Sequence, residues 1–187
     1  MRLPDADPAQ SPELAAAYEE FLRTRGIVSN VMKSFAHAPA GLSAIVDLGS
    51  YCRYGTDLTE KQKELVILIT GRGVAYAWHH HAPLGLKAGL SEAQLQALRD
   101  GQVPDGLEEA ESALSAYVFA YAALKGVPAA IFARMQAAFS PRQITDVNIT
   151  AGYYLCLASS IIAMEVQPDA PQVLDAATSF HATAERA

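Results

Sequence analysis

Residues 59–91, TEKQKELVILITGRGVAYAWHHHAPLGLKAGLS, decide the fold of this chain. Thr59, followed three residues later by Gln62, is a capping-box pattern, which predicts that a helix begins at this point. The apolar run LVILI continues this helix to about Arg72. Because a helix that is apolar on nearly every face is usually buried, we expect a core helix here.

A second helix follows within the same stretch. Gly71 and Gly73 predict a break, and the next helix is expected from about Val74 to Ala88, with Gly89 ending it. It carries three consecutive histidines, which titrate near neutral pH and can move protons. Pro83 lies inside this helix, where it removes one backbone hydrogen bond and can kink the chain.

The rest of the chain also carries helix signals, mainly Ser or Pro at starts and Gly at ends. A short turn near Val31 to Ala36 is expected to close at Pro39. Further helices are expected over about 11–26, 42–53, 91–101, 108–125, 128–139, 140–165 and 172–184. With no strand alternation and no repeat, the sequence predicts an all-α fold, a single-domain helical bundle over residues 11–187. Residues 1–10 are expected to form a flexible N-terminal arm.

Composition excludes several classes of function. The net charge of -6 without a basic cluster argues against nucleic acid as a partner. Cys52 and Cys156 have neither redox nor metal-ligand spacing. The polar, Pro-rich start lacks a signal-peptide pattern, and the apolar stretch over 149–164 is too short and too polar for a confident membrane span. We therefore expect a cytoplasmic protein that binds no membrane.

Helical phase distinguishes the three histidines. At 100° per residue, His81 shares a face with small and apolar residues: Val74, Ala77, Trp78, Ala82, Gly85 and Ala88. His79 and His80 fall on the two flanks, where solvent or a subunit interface is the simpler expectation. Adjacent histidines on a helix diverge, so no metal site is predicted. For His81 itself, periodicity alone favours a hydrogen-bonded core histidine over a functional one.

A carboxylate lies upstream of the histidines. Glu60, Glu64 and Arg72 share one stripe of the first helix, at intervals of four and eight residues. Glu60 is expected to face solvent, whereas Glu64 lies in the apolar part and must be paired or carry a raised pKa. A carboxylate that orients a histidine is the usual arrangement for acid–base chemistry.

The segments KELVILITGR and AYAWHHHAPLGLKAGLS resemble the signature of the carboxymuconolactone decarboxylase family, which includes the alkylhydroperoxidase D-like proteins. The resemblance covers about residues 55–100. It implies an all-α fold, assembly as trimers or hexamers, and an active site between helices near subunit contacts. It also implies one of two activities. The first is decarboxylation or isomerisation of a small lactone acid, and the second is hydroperoxide reduction by a CxxC pair with a glutamate and a histidine as proton relay.

The resemblance assigns site residues one by one. His81 matches the family histidine, Glu64 the helix glutamate of the REL pattern, and Tyr76 and Trp78 the aromatic residues of the YEWxxH pattern. The cysteine positions are occupied by Val74 and by Ala77, which also replaces the acidic residue of YEW. With no thiolate at these positions, peroxidase chemistry by the CxxC route is not expected.

The spacing of the matched pair also differs from the family pattern. Glu64 and His81 are 17 residues apart, two fewer than is usual in the family. Two residues turn a helix by about 200°. The sequence therefore leaves the pairing of Glu64 with His81 to be decided by the structure.

The leading hypothesis is a lyase-type enzyme that acts on a small organic acid or lactone by proton transfer, without metal or cofactor, as a homo-oligomer. His81 and Glu64 are the expected catalytic residues. The expected substrate-binding residues are Arg72, as a bidentate carboxylate ligand, with Tyr76, Trp78 and His80. One alternative is a non-catalytic, ligand-binding or oligomeric member of the family. Another is an alkylhydroperoxidase-like antioxidant protein that uses Cys52 or Cys156.

Overall fold

The computed structural model describes residues 1–170, without the side chains of residues 24 and 25. Over this range the chain forms nine α-helices and no strand, so the predicted all-α fold class is confirmed. The helices are α1 Pro12–Arg25, α2 Asn30–Lys33, α3 Pro39–Ser50, α4 Glu60–Thr70, α5 Ala75–Lys87, α6 Glu92–Arg99, α7 Glu109–Ala122, α8 Ala129–Ala138 and α9 Pro141–Met164. A 3-10 turn spans Pro8–Gln10, and a π-helical turn spans Tyr51–Gly55. The predicted helix over 172–184 lies outside the described residues.

The described chain divides into two compact units, and the single domain expected over residues 11–187 stays a prediction. Of the described residues, the first unit contains 1–49 and 159–170, and the second contains 50–158. In the first unit, the Arg2 side chain pairs with Glu165 at 2.6 Å, and His37 Nε2 lies 2.8 Å from the carbonyl of Pro4. These contacts hold part of the segment that the sequence predicts to be a flexible arm.

The second unit is built around α4. The capping box is present as predicted. The main-chain N–H of Gln62 donates to Thr59 Oγ1 at 3.2 Å, and the main-chain N–H of Thr59 donates to Gln62 Oε1 at 3.0 Å. Every residue from Lys63 to Thr70 is buried. Helices α5, α6 and α7 pack against α4, and α8 packs against α7. The fully buried core side chains include Leu65, Leu68, Leu98, Leu114, Val118 and Val147.

Helix α5 packs closely because one of its residues has no side chain. A Cβ atom on Gly85 would lie 3.1 Å from Leu68 of α4 and 3.3 Å from Leu95 of α6, which is tighter than ordinary van der Waals contact. The glycine at this position therefore lets α5 lie close to α4 and α6. Pro83 is accommodated inside α5, which continues to Lys87.

The chain differs from the predicted elements around α3. Pro39 does not close the preceding turn but is the first residue of α3, a position where its missing N–H costs no hydrogen bond. The predicted helix over 42–53 ends at Ser50 and continues as the π-helical turn Tyr51–Gly55. This turn departs from α-helical geometry where the sequence shows no break.

Among the described helices, only α9 is long and apolar enough to cross a membrane by length and composition. In this structure it contributes to the core of the second unit through Val147 and Ala151. Its Asn148 accepts a 2.7 Å hydrogen bond from Tyr117 of α7. Packing of this kind is typical of the core helix of a folded domain.

Leu114→Ala should lower the free energy of unfolding by about 3 kcal/mol, because it removes a fully buried side chain and leaves a cavity. Urea unfolding followed by circular dichroism measures this change. Leu86→Ala, in which the leucine is 43% exposed, is the control and should cost far less. Equal losses in the two variants would contradict the placement of the core.

Candidate active site

The candidate site is centred on Glu64, whose side chain is 1% exposed. Glu64 is buried because it belongs to the part of α4 in which every residue is buried. A carboxylate in such surroundings needs partners for both of its oxygens. It has two, one from the π-helical turn and one from α5.

The first partner is Arg53, the middle residue of the π-helical turn. Its Nη1 donates to Glu64 Oε1 at 2.8 Å, and its side chain is 10% exposed. Its Nη2 lies 3.3 Å from a Glu60 oxygen. Lys63 Nζ also pairs with Glu60, at 2.5 Å, and donates to the main-chain carbonyl of Arg53 at 2.8 Å. Glu60 is exposed, as expected, and it is paired with two cations.

The second partner of Glu64 is His81 of α5. Its Nδ1 lies 2.9 Å from Glu64 Oε2, and its side chain is 18% exposed. An ionised carboxylate can only accept hydrogen bonds, so Nδ1 must carry the proton. In the neutral imidazole, Nε2 is then the basic nitrogen. The pair therefore has the arrangement in which a carboxylate fixes the tautomer of a general base.

The electrostatics keep Glu64 and Arg53 charged. Burial alone would raise the pKa of the Glu64 carboxyl, but the charges and hydrogen bonds of His81 and Arg53 outweigh burial and lower this pKa. Burial alone would lower the pKa of Arg53, but Glu64, Tyr154 and Glu60 raise it. Glu64 is thus a carboxylate at neutral pH, as the tautomer argument requires.

Tyr154 of α9 forms an aromatic wall of the site. Its ring packs edge-on against the His81 imidazole, with 5.5 Å between centroids. The Tyr153 ring in turn packs edge-on against Tyr154 at 5.1 Å. The residues that the structure brings together are therefore Arg53, Glu64, His81 and Tyr154, which come from four different elements.

The predicted substrate-binding residues lie in three different places. Arg72 is exposed and lies over the Phe119 ring at 5.9 Å, so no described contact joins it to Glu64. Tyr76, which helical phase places on the flank of α5, is buried and stacks on His80 with 4.4 Å between centroids. Trp78 is buried in the core, with Arg99 5.2 Å from its ring. Their roles in binding stay predictions.

The two cysteines and the two other histidines differ in their exposure to solvent. Cys52 is buried and Cys156 is exposed. Cys156 follows Tyr154 by two positions on a helix, which turns it by about 200° from the residue that contacts His81. His79 is exposed and His80 is half-buried. Within residues 1–170, no group of three or more His, Cys, Asp or Glu side chains is arranged to hold a metal ion.

Residues 39–119 match the model of the carboxymuconolactone decarboxylase family. This match, over fewer than half of the residues of the chain, agrees with the resemblance to this family found in the sequence. The matched residues include Arg53, Glu64 and His81, but not Tyr154. No curated protein matches the chain in sequence.

Solved structures share the fold at low sequence identity. A cysteine-to-alanine variant of the debrominase Bmp8, in complex with 2,3,4-tribromopyrrole, is 16% identical with a TM-score of 0.73, and the match covers 96% of each chain. An uncharacterised peroxidase-related protein from Ralstonia eutropha, an alkylhydroperoxidase AhpD core, is 15% identical with a TM-score of 0.73, over 92% of this chain and 94% of that one. A putative antioxidant defence protein AhpD from Agrobacterium tumefaciens is 21% identical with a TM-score of 0.66, over 73% of this chain and 95% of that one. At these identities the likeness shows the fold alone.

Two residues of the site were not found by sequence reasoning. Arg53 lies in the π-helical turn, 11 residues before Glu64, and the sequence shows no periodic relation between the two. Tyr154 belongs to a long apolar helix in which aromatic residues are ordinary core residues. The available signal was the requirement that a buried Glu64 be paired, which asks for a cation without saying which one.

Glu64→Gln should lower the free energy of unfolding by about 3 kcal/mol, because it leaves the buried Arg53 guanidinium without its counter-charge. Glu109→Gln is the matched control, since Glu109 is 77% exposed in its pair with Arg134 and should contribute no more than about 0.5 kcal/mol. Urea unfolding at pH 7 measures both. Similar losses in the two variants would contradict a buried, paired Glu64.

The same variant should change how stability depends on pH. The folded-state pKa of Glu64 is lowered from its usual value, so the unfolded chain binds this proton more readily than the folded chain. The contribution of Glu64 is therefore present above the unfolded pKa of about 4.3 and is lost as pH falls through the lower folded pKa. Unfolding measured from pH 6 to pH 3 should show a shallower acid loss in Glu64→Gln than in the parent, whereas Glu109→Gln should keep the parental slope.

Proposed function

We propose that this protein is a lyase-type enzyme that moves a proton on a small organic acid or lactone, in a decarboxylation or an isomerisation. His81 Nε2 takes the proton from the substrate carbon or returns it, and Glu64 holds the imidazole in the tautomer that this step requires. The single observation that supports the proposal is the buried chain of contacts from Arg53 through Glu64 to His81 Nδ1. It ends at an imidazole with partial access to solvent.

The polarity of the site favours a general-base role for His81 over a purely structural role. A core histidine needs one hydrogen-bond partner, which a main-chain carbonyl can supply at little cost. Here the partner is a carboxylate whose own burial requires the Arg53 cation. When His81 takes a proton, the resulting imidazolium lies beside a fixed negative charge, which stabilises it. This arrangement matches the function of a general base.

The charges of the site limit the kind of substrate that it can bind. Arg53 and Lys63 are already engaged with Glu60 and Glu64, and Tyr154 supplies an apolar ring beside the imidazole. We infer that a small ring, such as a lactone, lies against Tyr154 with an acidic C–H toward His81 Nε2. Arg72, Tyr76, Trp78 and His80 remain the proposed further contacts to this substrate. The debrominase Bmp8 shares the fold, and its tribromopyrrole ligand is also a small ring.

We further propose that the protein works in the cytoplasm as a homo-oligomer, a trimer or hexamer, on a small-molecule substrate. In this proposal it needs no metal or cofactor and binds neither nucleic acid nor membrane. The non-catalytic alternative predicts a His81 without an ionisable partner, and the 2.9 Å contact to Glu64 speaks against it. The antioxidant alternative needs a thiol beside His81, and no described contact joins Cys52 or Cys156 to that residue.

His81→Gln should reduce proton abstraction by about 100-fold or more, because it removes the general base. The parent is incubated in D2O with a set of small lactones and carboxylic acids that carry acidic C–H groups, and deuterium incorporation is followed by NMR. This readout detects the proton transfer before any net reaction. His79→Gln is the control, because His79 is exposed on the same helix and should exchange like the parent.

Two outcomes would overturn the proposal. One is full exchange in the His81→Gln variant, which would place the base elsewhere. The other is a parent protein that accelerates exchange in none of these acids and lactones.

A further inference from the structure

The π-helical turn that carries Arg53 is held at both ends by one buried residue, Asp146 of α9. The Asp146 side chain is 0% exposed. It accepts a hydrogen bond from the hydroxyl of Tyr51, the first residue of the turn, at 2.5 Å. It also accepts a bond from the main-chain amide of Asp57, two residues after the turn, at 3.0 Å.

Arg142, one turn before Asp146 on α9, completes this contact. Its Nε donates to both Asp146 oxygens at 3.1 and 3.2 Å. Its Nη2 donates to the carbonyl of Gly55, the last residue of the turn, at 3.0 Å. A side chain would not fit at position 55, because a Cβ atom there would lie 2.7 Å from the Tyr51 ring. The start and the end of the turn are thus fastened to the same two residues of α9.

The geometry of the turn makes this fastening significant. π-Helical turns are rare because their hydrogen bonding is less favourable than that of an α-helix, and they recur at functional sites. Such a turn persists only where the surroundings hold it. Here the two ends of the turn are held by residues of α9, whereas its middle residue, Arg53, contacts Glu64 of α4. The position of the Arg53 guanidinium, and through it of Glu64, therefore depends on contacts made with α9.

We propose that Asp146, with Tyr51 and Arg142, is a positioning device for the proton-transfer pair, acting on Glu64 and His81 through Arg53. None of the three contacts Glu64 or His81 in the described structure, so they are positioning residues and not catalytic ones. The inference rests on the proposed function for its effect on turnover. Its effect on Glu64 is a property of the resting protein and needs no substrate.

The charges around Glu64 make the expected change specific. Besides Arg53 and His81, the charged or titratable groups nearby are Glu60 and Lys63 on α4 itself and Tyr154 on α9. On the side of α7, Glu111 pairs with Lys61 at 2.8 Å. Among the arginine and lysine side chains named here, Arg53 is the one that bonds to Glu64 directly. Loosening the turn therefore removes the part of the stabilisation of the carboxylate that comes from Arg53 and leaves only the part that comes from His81.

Tyr51→Phe is the test, and Tyr117→Phe is its matched control. Both remove one tyrosine hydroxyl that donates to a side-chain oxygen of α9, Asp146 in the first case and Asn148 in the second. Only the first hydroxyl belongs to the π-helical turn. Two readouts are taken from the resting proteins: the pKa of Glu64 from the ¹³C shift of its carboxyl carbon, and the tautomer of His81 from its ring ¹⁵N shifts.

Tyr51→Phe should raise the pKa of Glu64 toward its usual value and weaken the fixed Nδ1–H tautomer of His81. In the deuterium-exchange assay it should lower kcat by up to about 100-fold with little change in KM. Tyr117→Phe should leave all three unchanged. If Tyr51→Phe does not fold, Arg142→Gln replaces it, because Arg142 is half-exposed and its loss frees the Gly55 carbonyl.

A Glu64 pKa and a His81 tautomer that are unchanged in both Tyr51→Phe and Arg142→Gln would overturn the inference. A shift of equal size in Tyr117→Phe would also overturn it, because the effect would then be general loosening of the unit. If the parent protein has no exchange activity, the proposed function is wrong. The two NMR readouts then still test the positioning role of Asp146.

Discussion

The buried contact between Glu64 and its two partners is the constraint on which the site depends. A carboxylate at 1% exposure is tolerated only if its charge is balanced. Arg53 supplies the balancing charge on one oxygen, and His81 binds the other. Because the two partners come from different elements, the contact fixes the π-helical turn and α5 against α4. The energetic requirement of a single buried charge thus also sets the geometry around the His81 imidazole.

This arrangement divides the work between the partners of Glu64. His81 and Arg53 together keep the carboxylate ionised, and the ionised carboxylate keeps the proton of His81 on Nδ1. His81 Nε2 is then the basic atom, beside the ring of Tyr154. The same chain of contacts extends outward through the π-helical turn to Asp146. This polar path runs from a buried acid on α9 to an imidazole on α5, so several elements together set its geometry.

Much of the fold could be predicted because its signals are local. The capping box at Thr59 and the apolar run of α4 each act within a few residues, and the structure has both. The resemblance also identified Glu64 and His81 from short motifs. Local signals failed at the π-helical turn, because nothing in residues 51–54 distinguishes a π-helical turn from an α-helix. That geometry is held by partners on α4 and α9, far away in sequence.

The sequence by itself determined an all-α chain, a buried glutamate that needs a partner, and an inward histidine on the following helix. It could not determine that they meet, because the spacing of 17 residues includes a turn whose direction is set by packing. It also could not identify Arg53 or Tyr154, since neither shares a helix with Glu64 or His81. Only the tertiary structure decided these contacts. The physical reason is that a buried charge selects its partner by position in space, which depends on how α4, α5, α9 and the π-helical turn pack together.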